Sequence, residues 1–306
     1  MKILYDSFPV SNASYVALGN FDGVHLGHTR LIETLVSKGH PAVIYTFEKH
    51  PMNEILGEGT VLSINTNKEK ADIFASMNVD CTVFADFNTV RDMTPEDFVE
   101  RVLIRSLSAK AVVCGYNYRF GKNGSGDTTL LKKLLNDRGV SLTVVDEVTL
   151  DGMEVSSTAV RNTLLAGDME RATELLGRPY FMDSTVVHGK ALGRQLGFPT
   201  INETFDNGRL ILPYGVYFAK CKVKGGDTYI AVVNVGIRPT VNSTDKIPTA
   251  EAHIIDFNDD LYGSDVRIEF YKKCRDERKF ASLDELTEQI RRDISACKEY
   301  FKIGEL

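Results

Sequence analysis

The chain has no Cys-x-x-Cys pair, and its five cysteines stand singly at Cys81, Cys114, Cys221, Cys274 and Cys297. An odd, dispersed set argues against a disulfide framework and a zinc knuckle, and makes reduced, packed thiols in a cytoplasmic protein the expectation. No apolar run is long enough to span a bilayer, and Met1-Lys2-Ile3-Leu4-Tyr5-Asp6 lacks the layout of a secretion signal, so no membrane partner is expected. Positive charge is not in excess either: the net charge is −6, which argues against nucleic acid as a partner. Neither Gly-x-x-x-x-Gly-Lys-Ser/Thr nor Gly-x-Gly-x-x-Gly occurs, so the two commonest glycine-rich phosphate loops are excluded. Small anionic ligands stay open, because local arginines and a metal ion reverse the field inside a pocket.

What is present is an ordinary soluble composition, 43% apolar and 25% charged over 306 residues, enough for two domains. The first half alternates apolar strand candidates (15–20, 41–47, 79–84, 110–115, 140–146) with helical stretches (28–38, 66–77, 94–107, 127–138). Asn65 or Thr66 caps the second helix, and Thr94-Pro95-Glu96-Asp97 opens the third with a cap, a first-position proline and first-turn acids. This pattern predicts a Rossmann-like α/β domain, a parallel sheet with helices on both faces and ligands beyond the carboxyl ends of its strands. Two short helices, 157–166 and 168–176, follow. From Thr185 the texture changes to short strands (185–188, 215–223, 228–235, 250–257, 266–270), which predicts an all-β part, a small closed antiparallel barrel. Ser282-Leu283-Asp284-Glu285 caps a terminal helix with an apolar stripe of Leu283, Leu286, Ile290 and Ile294. The predicted division is 1–182 and 183–306.

Three segments of the first half carry chemistry. Gly19-Asn20-Phe21-Asp22-Gly23-Val24-His25-Leu26-Gly27-His28 ends a strand, turns, and opens a helix whose unpaired N–H groups suit phosphate. His25 and His28 share its first turn and can stabilise charge on a phosphate, while Gly27 lets the backbone approach a ligand. A metal pair lacks a third ligand at suitable spacing, and two surface histidines at a helix start are the plainer alternative. Gly115-Tyr116-Asn117-Tyr118-Arg119-Phe120-Gly121 is either an ordinary loop or a seat for a flat ligand with a charged tail. Ser156-Ser157-Thr158-Ala159-Val160-Arg161 starts a helix; its hydroxyls are common caps, but with Arg161 they also make a phosphate clamp.

Together these segments, with Thr46-Phe47-Glu48-Lys49-His50-Pro51, resemble the nucleotidyltransferase module of the bifunctional riboflavin kinase/FMN adenylyltransferase (FAD synthetase) family, over residues 14–180. Lys49 replaces a proline of that family's pattern. The resemblance implies that Gly19, Phe21, Gly27, His25, His28, Ser157, Thr158 and Arg161 handle ATP, and that Asn117 lies beside the reacting groups, with Arg119 toward the flavin. It implies in-line attack of the FMN phosphate on the α-phosphate of ATP, with no covalent enzyme intermediate.

In the second half, Gly193-Arg194-Gln195-Leu196-Gly197-Phe198-Pro199-Thr200-Ile201-Asn202 places Thr200 and Asn202 on one side of an extended stretch, as oxygen donors suited to Mg²⁺ or as a plain strand start. Glu251 shares a strand face with His253, opposite Ala252 and Ile254. A carboxylate facing a barrel interior is costly without work or a partner, so Glu251 is the candidate base; an ion-paired surface residue is the alternative. These segments, with Asn234-Val235-Gly236-Ile237-Arg238-Pro239-Thr240, resemble the same family's riboflavin kinase module over 181–303. The resemblance implies that Thr200 and Asn202 hold Mg²⁺, that Glu251 activates the riboflavin 5′-hydroxyl, that Gly189 and Gly193 belong to the loop over the nucleotide, and that Arg275 faces the flavin. Ser184 and Ala191 replace glycines common in the family.

The expected activity is therefore phosphorylation of riboflavin to FMN and adenylylation of FMN to FAD, with ATP as co-substrate. An FAD synthetase with an inactive kinase-like barrel and a non-catalytic flavin or nucleotide sensor are the rival readings.

Overall fold

The computed structural model describes residues 1–5, 13–186, 198–223, 225–238, 247–257 and 261–303. The chain divides into two compact units, Met1–Ala159 and Val160–Leu306. The helices expected at 157–166 and 168–176 are present as Ser157–Ala166 and Met169–Leu176, and most of the first and all of the second stand in the second unit.

The first unit is built on a six-stranded sheet in which every pairing is parallel. Its strands are β1 (Lys2–Tyr5), β2 (Ser14–Leu18), β3 (Ala42–Phe47), β4 (Cys81–Ala85), β5 (Ala109–Gly115) and β6 (Ser141–Val145), in spatial order β1-β4-β3-β2-β5-β6. The short strand β1 carries no turn or periodicity signal and escapes a sequence reading; only pairing with β4 makes it a strand. β4 is buried at every position and β3 at all but its last, the pattern of strands covered on both faces. Helices α1 (Leu26–Lys38), α2 (Pro51–Leu56) and α3 (Asn67–Ser76) connect the strands on one side of β2. Thr66 is the cap of α3, with Glu69 completing a capping box. Thr94 caps the helix opened by Pro95, which soon widens to i→i+5 turns over Phe98–Ser106. From β2 the chain steps through β3 to β4, and then crosses back to place β5 on the other side of β2. The order therefore reverses between β2 and β5, where connections leave in opposite directions and open a crevice.

After a short antiparallel ribbon of β7 (Thr149–Leu150) and β8 (Met153–Glu154) in the first unit, the second unit is an all-antiparallel sheet of β9 (Tyr180–Thr185), β10 (Ile201–Thr204), β11 (Gly215–Val223), β12 (Thr228–Arg238), β13 (Ile247–Ile254) and β14 (Asp265–Asp276), in the order β10-β13-β12-β11-β14-β9. It curls into a barrel whose end strands β10 and β9 are not paired among the described residues. β9 begins at Tyr180, earlier than the 185–188 read from sequence. The interior is lined by alternate residues, among them Tyr217, Ala219, Cys221, Ala231, Val233, Ala250 and Ala252, all fully buried. The terminal helix (Leu283–Ile303) packs Cys297 and Phe301 against Phe218 on the outside of the sheet. Leu283, at the head of the expected stripe, is 60% exposed, because it precedes the stretch that meets the barrel.

Among the described residues a carboxyl group lies inside this barrel. Glu203 is 0% exposed, and neither of its oxygens has a hydrogen-bond partner within ordinary limits among the described residues. Burial pushes it up from 4.5 to about 7, with the Ser184 hydroxyl pulling weakly the other way. Between those two values the folded chain keeps a proton that the unfolded chain releases, so stability falls as pH rises from 4.5 to about 7 and stays lowered above it. The full cost is roughly 3 kcal/mol. Glu203→Leu is expected to raise the thermal midpoint by several degrees at pH 8 and by much less at pH 4.5; equal gains at both pH values would show that the carboxyl is not the cause.

Candidate functional site

The first site forms where β2 and β5 end side by side. Leu18 pairs with Cys114, so Gly19-Asn20 and Gly115-Tyr116-Asn117, nearly a hundred residues apart in sequence, emerge together. Between Gly19 and His25 the backbone turns sharply. Phe21 (φ 51°) and Val24 (φ 41°) are in the left-handed region, as is Gly23 (φ 79°). A phenylalanine and a β-branched valine there are strained, and both are fully buried, so packing imposes the conformation. The Thr46 hydroxyl donates to the Asn20 carbonyl (3.0 Å), the Ile64 N–H donates to the Asp22 carboxylate (2.9 Å), and the Ser157 hydroxyl donates to the Asp22 carbonyl (2.8 Å). Three separate segments thus clamp one turn.

The turn presents the histidines. His25 is the N-cap residue of α1, and His28 lies in its first turn. Their rings stack with centroids 3.8 Å apart and planes 25° apart, and Phe21 backs His28 at 5.1 Å. His25 is only 6% exposed. Gly27 also has a steric part: a Cβ there would lie 3.1 Å from the His25 ring, so the missing side chain makes room for the imidazole. Gly19 likewise makes room for Phe21, whose ring lies 3.1 Å from the position of a Cβ.

These groups wall an open cavity of about 670 Å³, large enough for a dinucleotide-sized ligand. Gly19, Asn20, His25, Gly27, His28 and Ser157 line its polar end. Phe47, Met52, Ile55, Phe87, Val90 and Phe98 give it an apolar wall. The wall residues on α2 had no motif to reveal them; only the packing of α2 brings Met52 and Ile55 here. Asn117 and Arg119 are exposed and also line the cavity. At its rim Tyr116 donates to the Glu154 carboxylate (2.7 Å), which pushes the phenol up to about 12. Ser156, not Ser157, is the cap hydroxyl, accepting from the Ala159 N–H at 3.2 Å. Thr158 is exposed, and Arg161 stands half-buried one turn along the helix from Ser157. Lys49 pairs at the surface with Glu58 (2.9 Å), and the His50 side chain caps α2.

In the second unit, strand register does what sequence spacing could not. Asn202 pairs with Glu251, Glu251 with Asn234, Asn234 with Val216, and Val216 with Arg275. Directly opposed residues share a face, about 5 Å between neighbours, so Asn202, Glu251 and Asn234 form one row across three strands. Asn202 is 5% exposed; Thr200 and Glu251 are partly exposed. The row lies on the face opposite Ala250 and Ala252. This corrects the expectation that Glu251 faces the barrel interior; among the described residues it is Glu203, one residue beyond Asn202 and on the other face, whose carboxyl lies inside. Asn234 is an addition to the sequence list, found by register. Arg275 is held by Asp293 of the terminal helix (2.8 Å), a partly buried pair, and its guanidinium lies 5.8 Å from the Phe280 ring. Gly189, Gly193 and Ala191 lie outside the described residues. Among the described residues no cluster of three or more His, Cys, Asp or Glu could hold a metal. Thr200 and Asn202, with Glu251 beside them, offer only hard oxygen donors, which suit a Mg²⁺ that keeps water and phosphate ligands.

Comparison with known proteins agrees with this two-part layout. A family model for FAD synthetase matches residues 8–159, ending where the first compact unit ends, and one for riboflavin kinase matches 176–301. A bifunctional riboflavin kinase/FMN adenylyltransferase of Bacillus subtilis is 35% identical over 94% of this chain and 92% of its own length. That of Haemophilus influenzae is 33% identical over 97% of each. A solved structure described as a macrolide-efflux protein from Streptococcus pneumoniae matches with a TM-score of 0.86 and 28% identity, over 97% of this chain and 99% of that one. No helix among the described residues is long and apolar enough to cross a membrane. With relatives of this identity along nearly its whole length, the chain belongs to the bifunctional riboflavin kinase/FMN adenylyltransferase family.

Proposed function

We propose that the first unit transfers the adenylyl group of ATP to FMN at the cavity beside the stacked histidines, and that the second phosphorylates riboflavin along the Asn202–Glu251–Asn234 row. The observation that carries the first assignment is the His25–His28 stack held over a clamped, strained turn at the point where strand order reverses. Preorganised donors that need no rearrangement are what a developing negative charge requires. His25 and His28 steady the α-phosphate as an FMN phosphate oxygen attacks phosphorus in line and pyrophosphate leaves. Ser157, Thr158 and Arg161 take the departing phosphates with Gly19 and Gly27, while Phe21, fully buried, backs the His28 ring. Asn117 and Arg119 orient the FMN phosphate, and the apolar wall suits the flat flavin ring.

In the second unit, Glu251 accepts the proton of the riboflavin 5′-hydroxyl as that oxygen attacks the γ-phosphorus of ATP, the bond from that phosphorus to the bridging oxygen breaks and ADP leaves. Thr200 and Asn202 are the residues that would hold Mg²⁺, which when bound offsets phosphate charge. Gly189 and Gly193 are assigned to the nucleotide loop. Arg275, fixed by Asp293, sets the flavin side of the row. Five free cysteines suit a cytoplasmic, reducing compartment.

Incubation of the purified chain with riboflavin, ATP and Mg²⁺, followed by chromatographic separation of flavins, is expected to yield both FMN and FAD. FAD from added FMN alone would point to a silent barrel. Neither product would point to a sensor.

A further inference from the structure

His253 stands two residues along β13 from Glu251, on the same face, and has no part in the chemistry described so far. Its Nδ1 lies 2.9 Å from the Pro199 carbonyl oxygen, 54 positions away in sequence. A carbonyl only accepts, so Nδ1 carries the hydrogen and donates it. The ring of Phe198 meets the same imidazole edge-to-face, with centroids 5.7 Å apart and planes at 88°. One side chain therefore holds this segment at two successive residues.

The segment leads straight into the oxygen donors of the row. The paired stretch of β10 starts at Ile201, opposite Ala252, and Asn202 follows opposite Glu251. Carried one step past the end of β10, this register sets Thr200 across from His253. Thr200 thus stands just beyond the backbone pairing, and the imidazole bond ties down the peptide unit that joins Pro199 to it. Pro199 fixes its own φ and restricts Phe198 before it, so few conformations remain for the approach to Thr200 once the carbonyl is held. A single bond of this kind, on a half-buried side chain, adds little to the stability of the fold. Its larger effect is on orientation, because a metal ligand is aimed by the group behind it.

We propose that His253 is a positioning residue of the riboflavin kinase site: by holding the Pro199 carbonyl it aims Thr200, beside Asn202, at the Mg²⁺ that accompanies ATP. This rests on the assignment of Thr200 and Asn202 to Mg²⁺ made above.

Two variants of the full chain separate the bond from the ring. His253→Phe keeps an aromatic ring beside Phe198 and removes the donor. His253→Asn removes the ring and keeps an N–H one bond from Cγ, where Nδ1 stands. With FMN formation followed as Mg²⁺ is varied, His253→Phe is expected to raise the Mg²⁺ concentration for half-maximal rate about 10- to 100-fold, the usual scale for losing a group that orients a metal ligand, with little change in the KM for riboflavin. His253→Asn is expected to recover most of that loss. Mn²⁺ binding in the presence of ADP, read without turnover from the electron paramagnetic resonance signal of free Mn²⁺, is expected to weaken and recover in the same order. Asn202→Ala, run alongside, defines how much of that signal belongs to this site. An unchanged Mg²⁺ requirement or unchanged Mn²⁺ binding in His253→Phe would overturn the proposal. So would a His253→Asn chain no better than His253→Phe, or a loss confined to the KM for riboflavin. If His253→Phe does not fold, His253→Asn decides alone: a Mg²⁺ requirement raised less than about ten-fold supports the proposal, and a larger rise overturns it. If Asn202→Ala leaves both FMN formation and Mn²⁺ binding intact, the metal assignment itself has failed, independently of His253.

Discussion

Replacing His28 by alanine is expected to stop conversion of supplied FMN to FAD while FMN still forms from riboflavin. The ring it removes is stacked 3.8 Å from His25 and backed by Phe21, so the expected loss is double: the donor proposed for the phosphates, and the partner that fixes the His25 ring. Removing one preorganised donor costs about 10² to 10³ in rate, and loosening the second ring adds to it. Separate chromatographic assays on one preparation check this. FMN formation is the internal control for folding, since the row proposed for the kinase reaction lies in the other compact unit. A variant that still makes FAD at the parental rate would remove the histidine stack from the mechanism.

Glu251→Gln is expected to produce the reverse phenotype. The amide keeps the shape of the side chain in the row between Asn202 and Asn234 but cannot take a proton. Loss of a positioned general base typically costs about 10² to 10⁴ in rate. Phosphorylation of riboflavin should fall by that factor, while adenylylation of supplied FMN is unchanged. Loss of both activities in either variant would refute two independent sites.

The two sites differ in how far they could be read beforehand. The His25–His28 turn was legible because its parts are contiguous: a strand end, a turn and a helix start within ten residues. The packing beneath it was not. Phe74 lies in an ordinary helix, and nothing in its neighbours announces that it will lie against Phe21. The kinase row shows the opposite case. Thr200, Asn202 and Glu251 carried motifs, but which way Glu251 faced depended on strand register, and a shift of one residue reverses every side chain. That reversal separates Glu251 from Glu203: two carboxyl groups in neighbouring strands, one partly exposed and one enclosed beside Ala250, Cys221 and Ser184. Arg275 carried a family pattern, yet its tether to Asp293 needed the terminal helix in place.

By itself the amino-acid order determined the two-part architecture, the alternation of strand and helix in the first half, and local caps such as Thr94. Those features come from dihedral preferences and hydrogen bonds within a few residues, which each segment carries with it. Only the folded molecule decided the strand order that brings Gly19 beside Gly115, the register that aligns Asn202, Glu251 and Asn234, and the burial of Glu203. These are long-range choices, made when whole faces exclude water together, and no local window contains the residues that settle them.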